Sequence, residues 1–157
     1  MATLLETLET TCASLSRKVK VEYASLEEAN ATIFDKLKTS DFPLCLILPF
    51  DTVDGDRAHT RINSNADLDV IFLDRYTSQQ TIDKTTVEIE NLFCAPMRAL
   101  SREFVNRLDT TDIINEDGIS SVRNRSTYEG VGDAMLYGNW ATFNIKFSED
   151  INTKICE

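Results

Sequence analysis

Three aspartates surround one apolar segment of the chain, and carboxylates at such a spacing can hold a divalent metal ion. Asp67 and Asp69 flank Leu68, and Asp74 follows the apolar run at residues 68–73. Alternate residues of a strand share a face, so Asp67 and Asp69 would point the same way. Hydrolytic metal sites use such oxygens. No lysine follows at the spacing of a metal-dependent nuclease strand, and no histidine or glutamate completes a site. We therefore interpret these acids as solvated residues at a strand edge.

A second acidic group, Asp51, Asp54 and Asp56, surrounds Gly55 and suggests a calcium loop. An EF-hand loop needs acids at positions 1, 3 and 5, glycine at 6 and glutamate at 12. Counted from Asp51, position 12 is Ile62. The match fails, and we predict no metal site in this segment.

The remaining candidates for chemistry are a histidine, a glycine-rich segment and two aromatic residues. His59 is the only histidine, so a catalytic triad could be built only around it; we interpret it as a solvated residue of an exposed arm. Residues 130–133 resemble part of a dinucleotide loop but lack its third glycine, which favours a flexible turn. Tyr137 and Trp140 could form a binding platform, although aromatic residues at the start of a strand usually belong to packing. We expect no catalytic, cofactor-binding or metal-binding residues, and no enzyme activity.

Composition limits the class of protein. The 157 residues fit one domain, and 42% hydrophobic with 27% charged residues is ordinary for a folded chain. No run approaches the roughly 18 apolar residues of a membrane span, and residues 1–10 lack the basic residues of a signal peptide. We therefore expect a protein made in the cytoplasm, without a membrane partner.

Net charge argues against nucleic-acid binding, and the spacing of the cysteines indicates what state they are in. Acidic residues outnumber basic ones by 26 to 16, for a net charge of -10, which disfavours sequence-specific nucleic-acid binding. The basic cluster Arg17, Lys18 and Lys20 is interpreted as complementing the dipole of the first helix. The four cysteines are far apart and lie in apolar patterns, so we expect buried thiols. They are Cys12, Cys45, Cys94 and Cys156.

Apolar spacing predicts an N-terminal helical pair with a short strand between its members. Apolar residues at three- and four-residue steps predict the first helix at residues 3–18, and alternation predicts a strand at residues 19–23. Ser25 and Glu28 form a capping box at the start of the second helix, which Phe42 and the following proline end.

The most informative feature is a polar insertion, residues 51–66, between strands predicted at residues 44–50 and 68–73. Hairpins usually close through two to five residues, so this insertion predicts a protruding hairpin arm. The two strands would pair antiparallel, with the turn at residues 54–56 and a returning ribbon at residues 57–63. Because isolated ribbons are marginal in water, we expect the arm to gain order against another subunit.

The second half predicts a long helix followed by antiparallel strands. The helix spans residues 82–108, with Ile82 among its buried residues and Pro96 predicting a kink or two abutting helices. Residues 119–128 predict a polar strand, and Gly130, Gly132 and Gly138 a mobile connection. Alternation predicts the last strand at residues 140–147, before a loose tail at residues 150–157. The order predicts a single α+β domain with an antiparallel or mixed sheet.

Four features together carry a resemblance: the N-terminal helical pair, the run Leu44-Cys45-Leu46-Ile47-Leu48-Pro49 leading into the hairpin, the helix at residues 82–108 and the closing strand at residues 140–147. In order and size they resemble the tail-terminator and neck-ring (head-tail connector) proteins of tailed bacteriophages. The resemblance covers most of the chain.

This resemblance implies a structural virion protein, made in the bacterial host cytoplasm, that forms a ring between capsid portal and tail and lets DNA pass. It implies a homo-oligomer in contact with portal, adaptor or tail proteins, with the arm reaching a neighbour. An acidic passage would not retain DNA phosphates. Two other classes stay open: a small cytoplasmic adaptor that binds a protein through the arm, and a metal-dependent hydrolase whose acids converge only in three dimensions.

Overall fold

A six-stranded mixed sheet forms the centre of the fold in the computed structural model, which describes residues 3–58 and 61–150. The strands are β1 (Lys20–Tyr23), β2 (Leu44–Ile47), β3 (Thr52–Ala58), β4 (Arg61–Asp74), β5 (Ile114–Ser126) and β6 (Tyr137–Asp150). Their order is β1-β2-β4-β6-β5, and β3 pairs with β4 beyond the end of β2. The β1–β2 pair is parallel, and all other pairs are antiparallel.

Helices pack on both faces of this sheet, and on one of them they cover only the part near β1 and β2. They are α1 (Leu4–Ala13), α2 (Leu26–Glu28), α3 (Ser78–Thr81), α4 (Thr86–Ile89) and α5 (Ala95–Leu108). α2 continues through a π turn, Ala29–Ile33, and a 3-10 turn, Phe34–Lys36. α1 and α5 pack on one face, and the α2 segment packs on the other face near β1 and β2. This is the α+β architecture that the sequence predicts, with its N-terminal helical pair, long helix and hairpin.

The predicted strand alternation is confirmed in β6. Ala141, Phe143, Ile145 and Phe147 are buried, and the last three belong to the core cluster that α1 and α5 cover. Apolar side chains at alternate positions gain from leaving water on one face, which fixes the register of the strand. The antiparallel pairing of β2 with the second half of β4 is confirmed as well.

Pro96 divides the long helix, as predicted. A π turn, Glu90–Cys94, joins α4 to α5, and the N–H of Ala95 donates to the carbonyl of Glu90. This shift of register leaves Pro96 in the first turn of α5, where a missing N–H costs nothing. The predicted start was wrong, because the helix begins at Thr86 and Ile82 is 66% exposed. Asp83, with φ of 58°, turns the chain before it.

Other local features also differ from the predictions. α1 ends at Ala13 instead of residue 18, because Ser16 donates its N–H and hydroxyl to the Glu103 carboxylate and turns the chain toward α5. The predicted turn at residues 54–56 was wrong, since those residues lie within β3 at a bulge. Gly138 belongs to β6 instead of a connection. The predicted tail at residues 150–157 lies almost wholly outside the described residues.

Candidate functional site

The hairpin formed by β3 and β4 presents an exposed strand edge. Every residue from 51 to 57 is exposed, and Val53 is 69% exposed. Within the described ranges, β3 pairs with β4 alone, so its outer edge has no partner strand. The other strand of the hairpin, β4, has a partner on both sides, because from Arg61 onward it also pairs with β6. The hairpin is therefore an extension of the sheet that has one free edge.

One polar side chain of β3 is tied to its neighbour strand. The hydroxyl of Ser64 donates to Oδ1 of Asp54 at 2.9 Å, and the two residues are register partners. The Asp54 carboxylate is therefore hydrogen-bonded within the hairpin, whereas Asp51 and Asp56 are exposed to solvent. His59 lies outside the described residues, between the two strands.

A second surface is the polar part of the sheet face opposite α1 and α5. By strand register it carries side chains from three adjacent strands: Asn65, Asp67 and Asp69 of β4, Trp140, Thr142 and Asn144 of β6, and Arg123 and Arg125 of β5. We call this surface the open face. Polar residues at alternate positions and apolar residues between them give each strand one wet and one dry side.

The two carboxylates that the sequence predicts on one strand face accept hydrogen bonds from side chains of β6. Asp67 accepts from Nδ2 of Asn144 at 3.0 Å, and Asp69 accepts from Nε1 of Trp140 at 2.8 Å. Asp74 is five residues beyond Asp69, so the period of two puts it on the other face. The structure confirms that Asp67 and Asp69 share a face and separates Asp74 from them.

Asp74 lies in a different environment. Its carboxylate accepts the N–H of Arg75 at 2.8 Å and lies 3.8 Å from the guanidinium of Arg17. Burial raises the pKa of Asp74, and these two partners oppose the rise. Nowhere in residues 3–58 and 61–150 do three or more histidine, cysteine or acidic side chains form a group that could hold a metal ion.

Trp140 and two arginines form a cleft on the open face. The guanidinium Cζ of Arg125 lies 4.6 Å from the centroid of the Trp140 ring, a cation–π contact that holds the long side chain in place. A cavity of about 350 Å³ is lined by Asp69, Arg123, Arg125, Trp140 and Thr142. We call it the Arg–Trp cleft. Its two exposed guanidinium groups contrast with the acidic character of the whole chain.

The two aromatic candidates have different roles. Trp140 borders the cleft, whereas Tyr137 is buried and contacts Phe93 and Tyr76, with ring centroids 5.7 and 6.4 Å away. The Gly130 and Gly132 segment is a turn with positive φ at both glycines, closed by a bridge between Val131 and Leu136.

The cysteines that the structure describes are buried, as predicted. Cys12 and Cys45 face each other with their Sγ atoms 3.4 Å apart, and Cys94 is buried at the end of the π turn before α5. Burial and the neighbouring Cys12 raise the pKa of Cys45 well above its ordinary value, so its thiol is protonated near neutral pH. Cys156 lies outside the described residues.

The interpretation of the basic cluster was wrong, because α1 ends before it and has no basic residue in its last turn. Arg17 contacts Asp74, and Lys20 pairs with Glu22 at 3.9 Å. Arg123 and Arg125, which line the cleft, lie in the segment that the sequence predicts only as a polar strand. Their two-residue spacing was the available signal, since it puts both guanidinium groups on one strand face.

None of the helices in the described part of the chain has the length and apolar character needed to cross a membrane. No protein-family model matches the sequence, and no curated protein matches it.

Proposed function

We propose that this protein is a structural virion protein of a tailed bacteriophage that forms a ring in the neck or tail-terminator region. The ring would join the capsid portal to the tail and let DNA pass. The observation that carries the proposal is the free outer edge of β3, exposed along residues 51–57 at the end of a long hairpin. An order of elements like that of the phage ring proteins supports it.

An exposed strand edge attracts other strands and is usually protected or covered in native proteins. Here Val53 adds an apolar side chain that is 69% exposed. Contact with the next copy of the chain would cover both the free edge and this side chain. Such a contact is heterologous, because the hairpin of one subunit meets a different patch on its neighbour, and repeated heterologous contacts form a ring when the rotation between neighbours closes.

The net charge of -10 agrees with a passage for DNA. Each lysine or arginine that contacts a phosphate adds binding that does not depend on sequence. A wall rich in acids repels the DNA backbone and lets it slide. Acidic residues confined to the outer rim, around a basic lumen, would contradict this part of the proposal.

The first experiment compares the mass of the purified protein with that of a Val53→Asp variant, by native mass spectrometry and negative-stain electron microscopy. We expect closed rings for the unchanged protein and loss of rings for Val53→Asp, because a charge on the covered edge opposes its burial. Val87→Asp is the matched control, since Val87 is 68% exposed on α4, away from the hairpin.

Rings that persist in Val53→Asp would exclude the hairpin edge as the subunit contact. A monomer for both proteins at every concentration would contradict self-assembly and favour the small protein-binding adaptor.

A further inference from the structure

Another free edge of the sheet belongs to β5. Among the residues that the structure describes, β5 pairs with β6 and with no other strand. In an antiparallel pair every second residue turns its N–H and C=O away from the partner, so the outer side of β5 presents free donors and acceptors. Its residues there are open to solvent: Ser121, Arg123 and Arg125 are exposed, and Val122 is 42% exposed.

Cavities lie on both sides of this edge. The Arg–Trp cleft of about 350 Å³ is on the open face. On the helix-covered face, a cavity of about 310 Å³ is lined by Arg102, Val105, Asn106, Val122 and Asn124. A strand added along β5 would direct alternate side chains to these two faces, and therefore into the two cavities.

The cavities differ in chemistry. In the cleft, Arg123 and Arg125 lie two residues apart on one face, roughly 7 Å apart along the strand, which is also the spacing of alternate side chains on an added strand. Arg125 is held over Trp140, and Arg123 makes no ion pair with any described residue. The other cavity has Val105 and Val122 in its lining.

We propose that the outer edge of β5 binds an extended segment of a partner protein in which acidic and apolar side chains alternate. The segment adds as a further strand. Its carboxylates pair with Arg123 and Arg125, and its apolar side chains contact Val105 and Val122. A nucleic-acid strand fits these features less well, since it cannot use the free backbone groups of β5 and the chain as a whole is acidic. This site is on the opposite edge of the sheet from β3, so it stands or fails independently of ring formation.

The test titrates the full chain with the peptide acetyl-Glu-Val-Glu-Val-Glu-amide. Trp140 is the only tryptophan, so its fluorescence reports on the cleft, and amide NMR shifts identify the strand that is contacted. We expect binding that shifts β5 amides and slows their hydrogen exchange. We expect at least a severalfold weaker binding of acetyl-Glu-Glu-Glu-Val-Val-amide, which has the same composition without the alternation.

An Arg123→Gln/Arg125→Gln variant should bind the alternating peptide about tenfold more weakly, as the loss of two exposed ion pairs implies. Lys18→Gln/Lys36→Gln is the matched control. It removes the same charge from exposed residues outside β5 and should bind normally. Circular dichroism and thermal unfolding establish that both variants are folded.

Three results would overturn the proposal. The first is the absence of any shift in β5 amides at millimolar peptide. The second is equal affinity for the two peptides, which would indicate charge attraction alone. The third is tighter binding of an oligothymidylate of equal charge, which would make the cleft a nucleic-acid site.

Discussion

The indole N–H of Trp140 donates a hydrogen bond to Oδ1 of Asp69 at 2.8 Å, joining β6 to β4 on the open face. The same indole ring lies under the guanidinium of Arg125. Asp69 therefore orients the aromatic ring that in turn positions the arginine, and three strands share one small polar arrangement.

Removing this acceptor tests its contribution to stability. Asp69→Ala should lower the free energy of unfolding by about 1 kcal/mol, the usual net contribution of one intramolecular hydrogen bond. Asp69→Asn, which keeps an acceptor oxygen, should lose less. Urea unfolding measures both. Asp67→Ala is the control, because Asp67 is exposed and accepts a hydrogen bond from Asn144 nearby. An equal loss of stability in this control would show that the Trp140–Asp69 hydrogen bond contributes no more to stability than the Asn144–Asp67 one.

Gly138 is required by the close approach of β6 to β4. A Cβ atom at this position would lie 1.8 Å from the carbonyl oxygen of Phe72, a contact with backbone that cannot move aside. Gly138→Ala should therefore lower the free energy of unfolding by about 3 kcal/mol or more, or prevent folding. Gly55→Ala is the comparison, because its Cβ would lie 3.2 Å from Asn63 in the exposed hairpin. Urea unfolding should rank Gly138→Ala as the more damaging change, and the reverse order would contradict this packing.

Tyr76 makes stability depend on pH in the alkaline range. Burial, aided by the charge of Asp74, raises the pKa of Tyr76 from 10.0 to about 12. Below pH 10 the phenol is protonated in both folded and unfolded states, and its contribution is fully present. Between pH 10 and 12 the unfolded chain ionises first, so stability falls as pH rises.

A Tyr76→Phe variant should show a smaller loss of stability over this range, while its ring keeps the stacking on Phe93, whose centroid is 4.0 Å away. Urea unfolding at a series of pH values measures the loss, and ultraviolet titration of phenolate in the two proteins gives the pKa of Tyr76 by difference. Identical pH profiles would show that Tyr76 ionises normally.

Periodic patterns predicted the elements that are buried on one side. The alternation of Ala141 to Phe147 identified β6, and Phe93, Leu100 and Phe104 identified the buried face of the long helix. Such patterns are reliable where burial of one face requires an apolar residue at every second position of a strand, or at every third to fourth position of a helix.

The sequence predictions were wrong where two signals in one segment indicated different structures. The apolar period continues back to Ile82, yet the capping box of Thr85 and Glu88 starts the helix after the turn at Asp83. Gly55 looks like a turn residue, but it lies in β3, where pairing with β4 outweighs local preference and the surplus residue is absorbed in a bulge.

The Arg–Trp cleft could not be assembled from the sequence. Arg125 meets Trp140 because β5 and β6 pair in one particular register, which includes two irregularities, and Asp69 joins them through a third strand. Register between distant strands depends on the complete sheet. The sequence supplied the residue types, whereas the tertiary pairing decided which of them are neighbours.

β4 has neighbours that are synthesised at very different times. β2 precedes it and β3 adjoins it, but β6, which pairs with it from Arg61 to Asp74, follows α5 and β5. Because a ribosome adds residues in order, the side of this fourteen-residue strand that pairs with β6 has no partner until β6 has been synthesised. During that time it can pair wrongly with other strands. Chaperone shortage during translation should therefore reduce the yield of folded protein more than the same shortage after the chain is complete.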